Sequence, residues 1–381
     1  MSDRAARELD DAFIDLVADW REGGIGCDDA QFEAHALALC AHQIERNEPY
    51  RRYAASLGFD ATHRPKSWRE IPAVPASAFK DATLATFDVA QAELVFHTSG
   101  TSAELTGTHY VEHARLYDAS LLAGFDRFVL PDRAKLRYLN LVPNPRWKTH
   151  SSLGYMMGHV SVLRGEGKAA YFLPSTPLRS GSSTPLGTGS GVDVAGFTRA
   201  LDAAIAERQA VCIAGTAFAF AALLESLEAD ARTFVAPEGS RIMETGGFKG
   251  RTRAIERTEL YLRLEASLGI EQPAIVAEYG MTELLSQYYD APESRSSDLR
   301  IKVGPPWLRA LVVDANGREV PAGETGFLRH VDLANRSSVV AVDTEDRGYA
   351  HGSGFVLLGR DSDAPARGCS LDAEDLLPLP R

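Results

Sequence analysis

Phe96-His-Thr-Ser-Gly-Thr-Ser-Ala-Glu-Leu-Thr-Gly107 is the stretch on which the reading of this chain turns. The apolar run Ala92-Glu-Leu-Val-Phe96 leads into it as a strand would, and a helix-like pattern begins a few residues beyond it. Between them, Thr98, Ser99, Gly100, Thr101 and Ser102 offer backbone N–H groups and hydroxyls with little side-chain bulk. Converging N–H dipoles and hydroxyl donors suit a cluster of phosphate oxygens. The same residues also make an ordinary Ser/Thr-rich turn, so the rest of the chain must decide between the two.

Composition narrows the choice. The chain has 381 residues, 45% of them apolar and 24% charged, which describes a globular protein with ample core. No apolar run approaches the ~20 residues needed to span a membrane, and Met1–Asp10 lacks the apolar core of a signal peptide. A net charge of −12 argues against a broad nucleic-acid surface. Cys27, Cys40, Cys212 and Cys369 are far apart and form no Cys-x-x-Cys pair, so a reducing cytoplasm is expected instead of a disulfide or zinc scaffold.

Outward from the opening stretch, the N-terminal side reads as helical. Leu9, Phe13, Leu16, Val17 and Trp20 have helical spacing, and Asp28 or Asp29 can cap a second helix that carries Cys40 on its apolar side. Trp68–Lys80, with two prolines three residues apart, reads as an extended connector. On the C-terminal side, strands at Leu136–Val142, Lys168–Leu173, Ala210–Ala214, Ser240–Glu244 and Ala274–Ala277 alternate with helices beginning near Ser151, Val192 and Thr216 and ending near Leu268. Pro174–Gly191 is a loop. That alternation predicts a parallel sheet covered on both faces, with ligands outside the strand C-termini. Beyond Ile301, Leu308–Asp314 and Gly326–Val331 with an Asn316-Gly317 turn predict a hairpin, and Val339–Val342 and Phe355–Leu358 add short strands. The expected class is α/β, divided into a helical region with connector (1–95), an α/β core (96–300) and a small C-terminal β subdomain (301–381).

Four sets of residues bear chemistry. The loop Thr98–Ser102 is the first. In Tyr279-Gly-Met-Thr-Glu283, after an apolar strand, a ring can stack on a base, Thr282 can donate to phosphate and Glu283 can hold Mg²⁺. In Asp343-Thr-Glu-Asp346 and Gly359-Arg360, a carboxylate suits ribose hydroxyls and an arginine suits ribose or phosphate oxygens. Cys369, next to a glycine and near Arg367, suits a nucleophilic thiolate. Each also has a plain reading, as a turn, a surface charge or a surface thiol. His150, after a strand, can line a substrate pocket or serve as a structural histidine.

Taken together and in order, these segments resemble the adenylate-forming superfamily of acyl-CoA synthetases, peptide-synthetase adenylation domains and luciferases. Thr98-Ser-Gly-Thr-Ser102 looks like its phosphate loop, and Thr245-Gly-Gly-Phe-Lys-Gly250 like its adenine-pocket strand end. Glu278-Tyr-Gly-Met-Thr-Glu283 resembles its Tyr-Gly-x-Thr-Glu motif, with Asp346 as the ribose acid and Gly359-Arg360 before the hinge. Within the superfamily, Ile71-Pro-Ala-Val-Pro-Ala-Ser-Ala-Phe-Lys80, Gly215-Thr-Ala-Phe-Ala-Phe220 and Arg367-Gly-Cys-Ser-Leu371 resemble the LuxE-like acyl-protein synthetases.

The resemblance implies activation of a carboxylic acid, a fatty acid by the family's pattern, by ATP and Mg²⁺ to an acyl-adenylate. Transfer of the acyl group to Cys369 as a thioester follows, with an acyl-reductase subunit as onward partner. It implies catalytic roles for Thr282, Glu283 and Cys369. Nucleotide contacts are implied for Thr98–Ser102, Gly246, Gly247, Lys249, Glu278, Tyr279, Gly280, Asp346 and Arg360, and a substrate pocket at His150, Gly215 and Thr216. Transfer to coenzyme A or a carrier protein is the alternative enzyme, and a non-catalytic nucleotide- or acyl-binding module the alternative of another class. Two departures stand out. The phosphate loop lacks its usual lysine, and no room remains after Arg381 for the large C-terminal lid domain whose lysine assists adenylation. Lys249 and Arg360 are the candidate substitutes.

Overall fold

Val211-Cys-Ile-Ala-Gly-Thr216 is buried at every position, as a strand covered on both faces requires. In the computed structural model, which describes residues 2–98, 106–173, 191–246 and 256–360, it is central to a parallel sheet. Arg137–Leu141 and Arg241–Thr245 flank it, Ile275–Tyr279 lies beyond the latter and the two-residue strand Ala170–Tyr171 beyond the former. The helices between these strands are Ser152–Arg164, Val194–Ala206, Ala217–Ala229 and Arg257–Leu268. Three start where a hydroxyl or carboxylate accepts an otherwise orphaned N–H: Ser151 from Gly154, Asp193 from Gly196 and Thr216 from Ala219. Leu139, Ile213, Phe220, Leu223, Ile242 and Leu264 bury their side chains completely in the core between helices and sheet, each burial stabilising by about 1.5–3 kcal/mol. Residues 125–280 and 289–300 form this unit.

Residues 2–124, 281–288 and 301–360 form a second unit with different grammar. Leu308–Val313, Gly326–Asp332, Ala341–His351, Gly354–Arg360 and Ile301–Val303 pair antiparallel in that order. Its helices Ser2–Arg21, Asp29–Arg46 and Glu48–Ser56 dock by polar anchors as well as by packing. Gln43 donates to the Asn335 carbonyl at 2.8 Å and accepts from Val340 N–H at 2.8 Å, so it reads the backbone of a buried loop twice. Arg336 in that loop binds Asp10 and Glu112. Phe13 and Trp20 meet the buried Trp307 edge-on, at 5.8 and 5.2 Å between centroids.

The α/β class and the parallel–antiparallel switch stand as expected, and three details differ. The helix-like pattern after Gly107 is first a strand, Thr108–Val111, paired antiparallel with Leu94–His97; the helix begins only at Ala114. The alternating burial of that strand leaves too few apolar residues to distinguish it from a helix start. The short strand expected at Val339–Val342 is the long Ala341–His351, whose acidic Asp343–Asp346 stretch conceals a half-buried alternation. The connector is extended where Val74–Pro75 pairs with Val342–Asp343, but Ala78–Asp81 makes one helical turn. The grouping into two units also cuts across the three segments read from the sequence, because the N-terminal helices group with residues 301–360.

Candidate active site

In the parallel unit, register alone assembles a row of candidate residues. Thr216 pairs with Thr245, and Thr245 with Glu278, so three strands present these residues side by side at their C-terminal ends. Two strand spacings separate Thr216 from Glu278, about 10 Å. All three are buried, at 0%, 3% and 6% exposure, and the Thr245 hydroxyl donates to the Glu278 carboxylate. Gly215, one residue earlier, sits where a Cβ would come within 2.9 Å of the Leu141 side chain. Gly246 leaves the strand at φ +79°, a conformation that favours glycine. Tyr279 is buried and Gly280 half-buried at the end of their strand. His150 is different: it lies exposed in the turn before Ser152–Arg164.

The antiparallel unit holds its candidates by side chains instead. Cross-strand register sets Asp346 opposite Arg360, whose Nε donates to the Asp346 carboxylate at 2.8 Å, both side chains being 6% exposed. Gly359 before it takes φ +102° at the irregular end of the ladder. Asp346 is thus a buried, charge-compensated carboxylate, and its charge reaches the buried His330.

Thr98 closes the base of the opening loop. Its N–H donates to the Gly107 carbonyl at 2.8 Å, and its hydroxyl accepts from Gly107 N–H at 2.7 Å. A Cβ on Gly107 would meet Thr98 Oγ1 at 2.9 Å and the Phe79 carbonyl carbon at 3.1 Å, so a side chain there would force its neighbours to shift. Ser99, Gly100, Thr101 and Ser102 lie outside the described residues, as do Gly247, Lys249 and Cys369.

Thr282 and Glu283, 1% and 6% exposed, lie in a turn stretch with no helix or strand ladder to hold them. Buried polar groups take that part. His109 Nδ1 lies 2.7 Å from the Thr282 carbonyl, and Asn335 Nδ2 donates to the Glu283 carbonyl at 2.7 Å. Asp332, wholly buried, accepts from Leu285 N–H at 2.8 Å and from the Ser286 hydroxyl at 2.7 Å. Ser286 in turn faces Ser120 at 2.8 Å, and Ser120 accepts from Trp307 Nε1 at 2.9 Å. Burial pushes the Asp332 carboxyl up to about 6, against the pull of these donors, and pushes the His109 imidazole down to about 4.

His109, Asp332 and Asn335 were not among the residues singled out from the sequence. The available signal was a histidine in an alternating strand and an Asp-Leu-Ala-Asn run in an otherwise buried stretch.

The described cysteines are poor nucleophiles. Cys27, Cys40 and Cys212 are buried, and burial raises all three thiols, Cys27 to about 11 and Cys212 to about 12. Among the described residues, no group of three or more His, Cys, Asp or Glu is arranged to hold a metal, and no helix is long and apolar enough to cross a membrane.

The sequence matches the family described as "Acyl-protein synthetase, LuxE" over residues 7–377. No match was found among curated protein sequences. Among solved structures, 2-hydroxyisobutyryl-CoA ligase in an open conformation with 2-HIB-AMP and CoA is similar at a TM-score of 0.61 and 16% identity, covering 88% of this chain and 71% of that one. The same ligase in its thioesterification state gives 0.62 at 16% identity, with 87% and 68% covered. These likenesses place the fold among adenylate-forming ligases. The chain belongs to the LuxE acyl-protein synthetase family, a family of enzymes.

Proposed function

We propose that the protein is an acyl-protein synthetase of the cytoplasm that activates a fatty acid with ATP and Mg²⁺ and then carries the acyl group on Cys369. The observation that carries this reading is the grip on Thr282 and Glu283, whose two consecutive carbonyls are each held by a buried side-chain donor. Such fixing leaves the Thr282 hydroxyl and the Glu283 carboxylate pre-aimed, as electrostatic catalysis requires.

In the first half-reaction, a substrate carboxylate oxygen attacks the α-phosphorus of ATP, and the bond to pyrophosphate breaks. Thr282 donates to the phosphoryl oxygens, and Asp346 accepts from the ribose hydroxyls. Glu283 would hold Mg²⁺, which supplies charge neutralisation at the phosphates. A single buried carboxylate suits Mg²⁺, which takes most of its ligands from phosphate and water. By the resemblance to adenylate-forming enzymes, Tyr279 and the Thr245–Gly246 strand end would take the adenine, and Gly215–Thr216 would border the acid. For the missing lysine the candidates are Lys249 and Arg360, of which Arg360 is paired with Asp346.

In the second half-reaction, the Cys369 thiolate attacks the acyl carbon and AMP leaves, giving a thioester. The choice of Cys369 is supported by the state of the other three cysteines, which burial keeps protonated. An acyl-reductase subunit would take the acyl group onward.

ATP–pyrophosphate exchange across a panel of carboxylic acids tests the first step, and exchange is expected to be strongest with fatty acids. Labelled acyl group is expected to stay on the protein, to be released by hydroxylamine and to vanish in Cys369→Ala. Label found only on added coenzyme A or carrier protein would overturn the second step, and no exchange with any acid would overturn the first.

A further inference from the structure

A catalytic hydroxyl and carboxylate on a turn need something other than a ladder of backbone hydrogen bonds to aim them. The carbonyl oxygens of Thr282 and Glu283 are consecutive, buried and gripped from two separate elements. His109 comes from the strand that leaves the opening loop, and Asn335 from the buried loop after Asp332. We propose that His109 and Asn335 form a carbonyl clamp, two positioning residues that fix the turn so that Thr282 and Glu283 face the reacting phosphates; this rests on the adenylation reading above.

The chemistry of the pair is specific. A carbonyl oxygen can only accept, so His109 must carry its proton on Nδ1, which leaves Nε2 bare. Nε2 is buried without a hydrogen-bond partner, as is Asn335 Oδ1. Burial holds the ring neutral, and Phe79 seals it edge-on at 5.5 Å. The Asn335 side chain also acts on the His109 ring, so the two members of the clamp are coupled to each other as well as to the turn. The anchors of the clamp are themselves fixed. Asn335 N–H donates to the Asp332 carbonyl, while Gln43 holds the Asn335 carbonyl. The strand bearing His109 is registered to Leu94–His97 through Phe96↔His109.

Asparagine places an N–H donor close to the position of imidazole Nδ1, whereas leucine fills similar space with no donor. We expect His109→Leu to lower kcat of ATP–pyrophosphate exchange about 30-fold, with KM for ATP changed less than about threefold, because an unpaired carbonyl lets the turn relax without removing a ligand contact. We expect His109→Asn to recover kcat to within about threefold of wild type, and Asn335→Ala to lose about as much as His109→Leu. Wild-type kcat in His109→Leu would overturn the clamp, as would a loss in His109→Asn equal to that in His109→Leu. If the leucine variant does not fold, ¹⁵N spectra of histidine-labelled wild-type protein at pH 7 decide instead. A neutral ring protonated at Nδ1 supports the clamp, and an Nε2–H tautomer or an imidazolium overturns it. Absence of exchange in the wild type would sink the adenylation reading, whereas an active His109→Leu sinks the clamp alone.

Discussion

The two units hold their candidate residues by opposite means. The parallel unit relies on register: once Val211–Thr216, Arg241–Thr245 and Ile275–Tyr279 pair over an apolar core, Thr216, Thr245 and Glu278 stand in line without further help. The antiparallel unit relies on buried polar side chains from distant positions: His109 and Asn335 hold the carbonyls of Thr282 and Glu283, and Asp332 accepts from Leu285 N–H and the Ser286 hydroxyl of the same turn. Register is robust because it is shared over many residues. A buried polar network is specific but unforgiving, since one missing partner leaves another group unsatisfied.

Acid should separate the two most strongly. His35, His109 and His330 all lie in the antiparallel unit and are pushed down to about 4 by burial. Below pH ~6.5 the unfolded chain takes up protons that the folded imidazoles refuse, so stability falls from about pH 6.5 to about pH 4. Asp332 runs the other way: its carboxyl, raised to about 6, gains a proton in the folded state first and offsets one histidine over that window. These three histidines less Asp332 give a net of two protons and a slope of up to about 3 kcal/mol per pH unit, and His42, also pushed down by burial, adds in the same direction. Urea midpoints measured against pH should show this fall, and hydrogen exchange should show the antiparallel unit opening first; a flat profile would mean the histidines are not held neutral.

Smaller effects sharpen the contrast. Asp332→Ala strips a partner from Leu285 N–H, Ala334 N–H and the Ser286 hydroxyl, and should cost about 4 kcal/mol in urea unfolding together with most of the exchange activity. Leu264→Ala in the parallel unit should cost about 3 kcal/mol by opening a cavity, yet leave kcat within about threefold. If both variants lose stability and activity in equal measure, the distinction between the units fails. Thr282→Ala should lower kcat about 100-fold, with KM for ATP little changed; an equal loss in both would contradict a transition-state role. Thr245→Val removes the hydroxyl that binds Glu278 and should raise KM for ATP about tenfold, the mildest of the set.

The same contrast governs how much could be read in advance. Strands such as Ala210–Ala214 and Ser240–Glu244, the Thr216 cap and the glycines at strand ends follow from local pattern, so the parallel sheet was legible, and with it the strand ends that carry the candidate residues. Asp346 and Arg360 were legible as a motif, though not as cross-strand neighbours, because the long polar strand between them hides its alternation. The clamp could not be read. His109 is 173 positions from Thr282, and Asn335 is 52 from Glu283, and no local preference marks either residue as a donor to a particular carbonyl. His150, chosen for its place after a strand, is exposed, since a turn of prolines and polar residues carries it outward.

Gly107 has an evolutionary consequence. Its contacts with Thr98 and Phe79 pin the two ends of the intervening loop against each other whatever lies between them. Selection can therefore rewrite the interior of that loop while the surrounding scaffold stays unchanged. A side chain at 107 would crowd Thr98 and the Phe79 backbone, so replacements there should be costly.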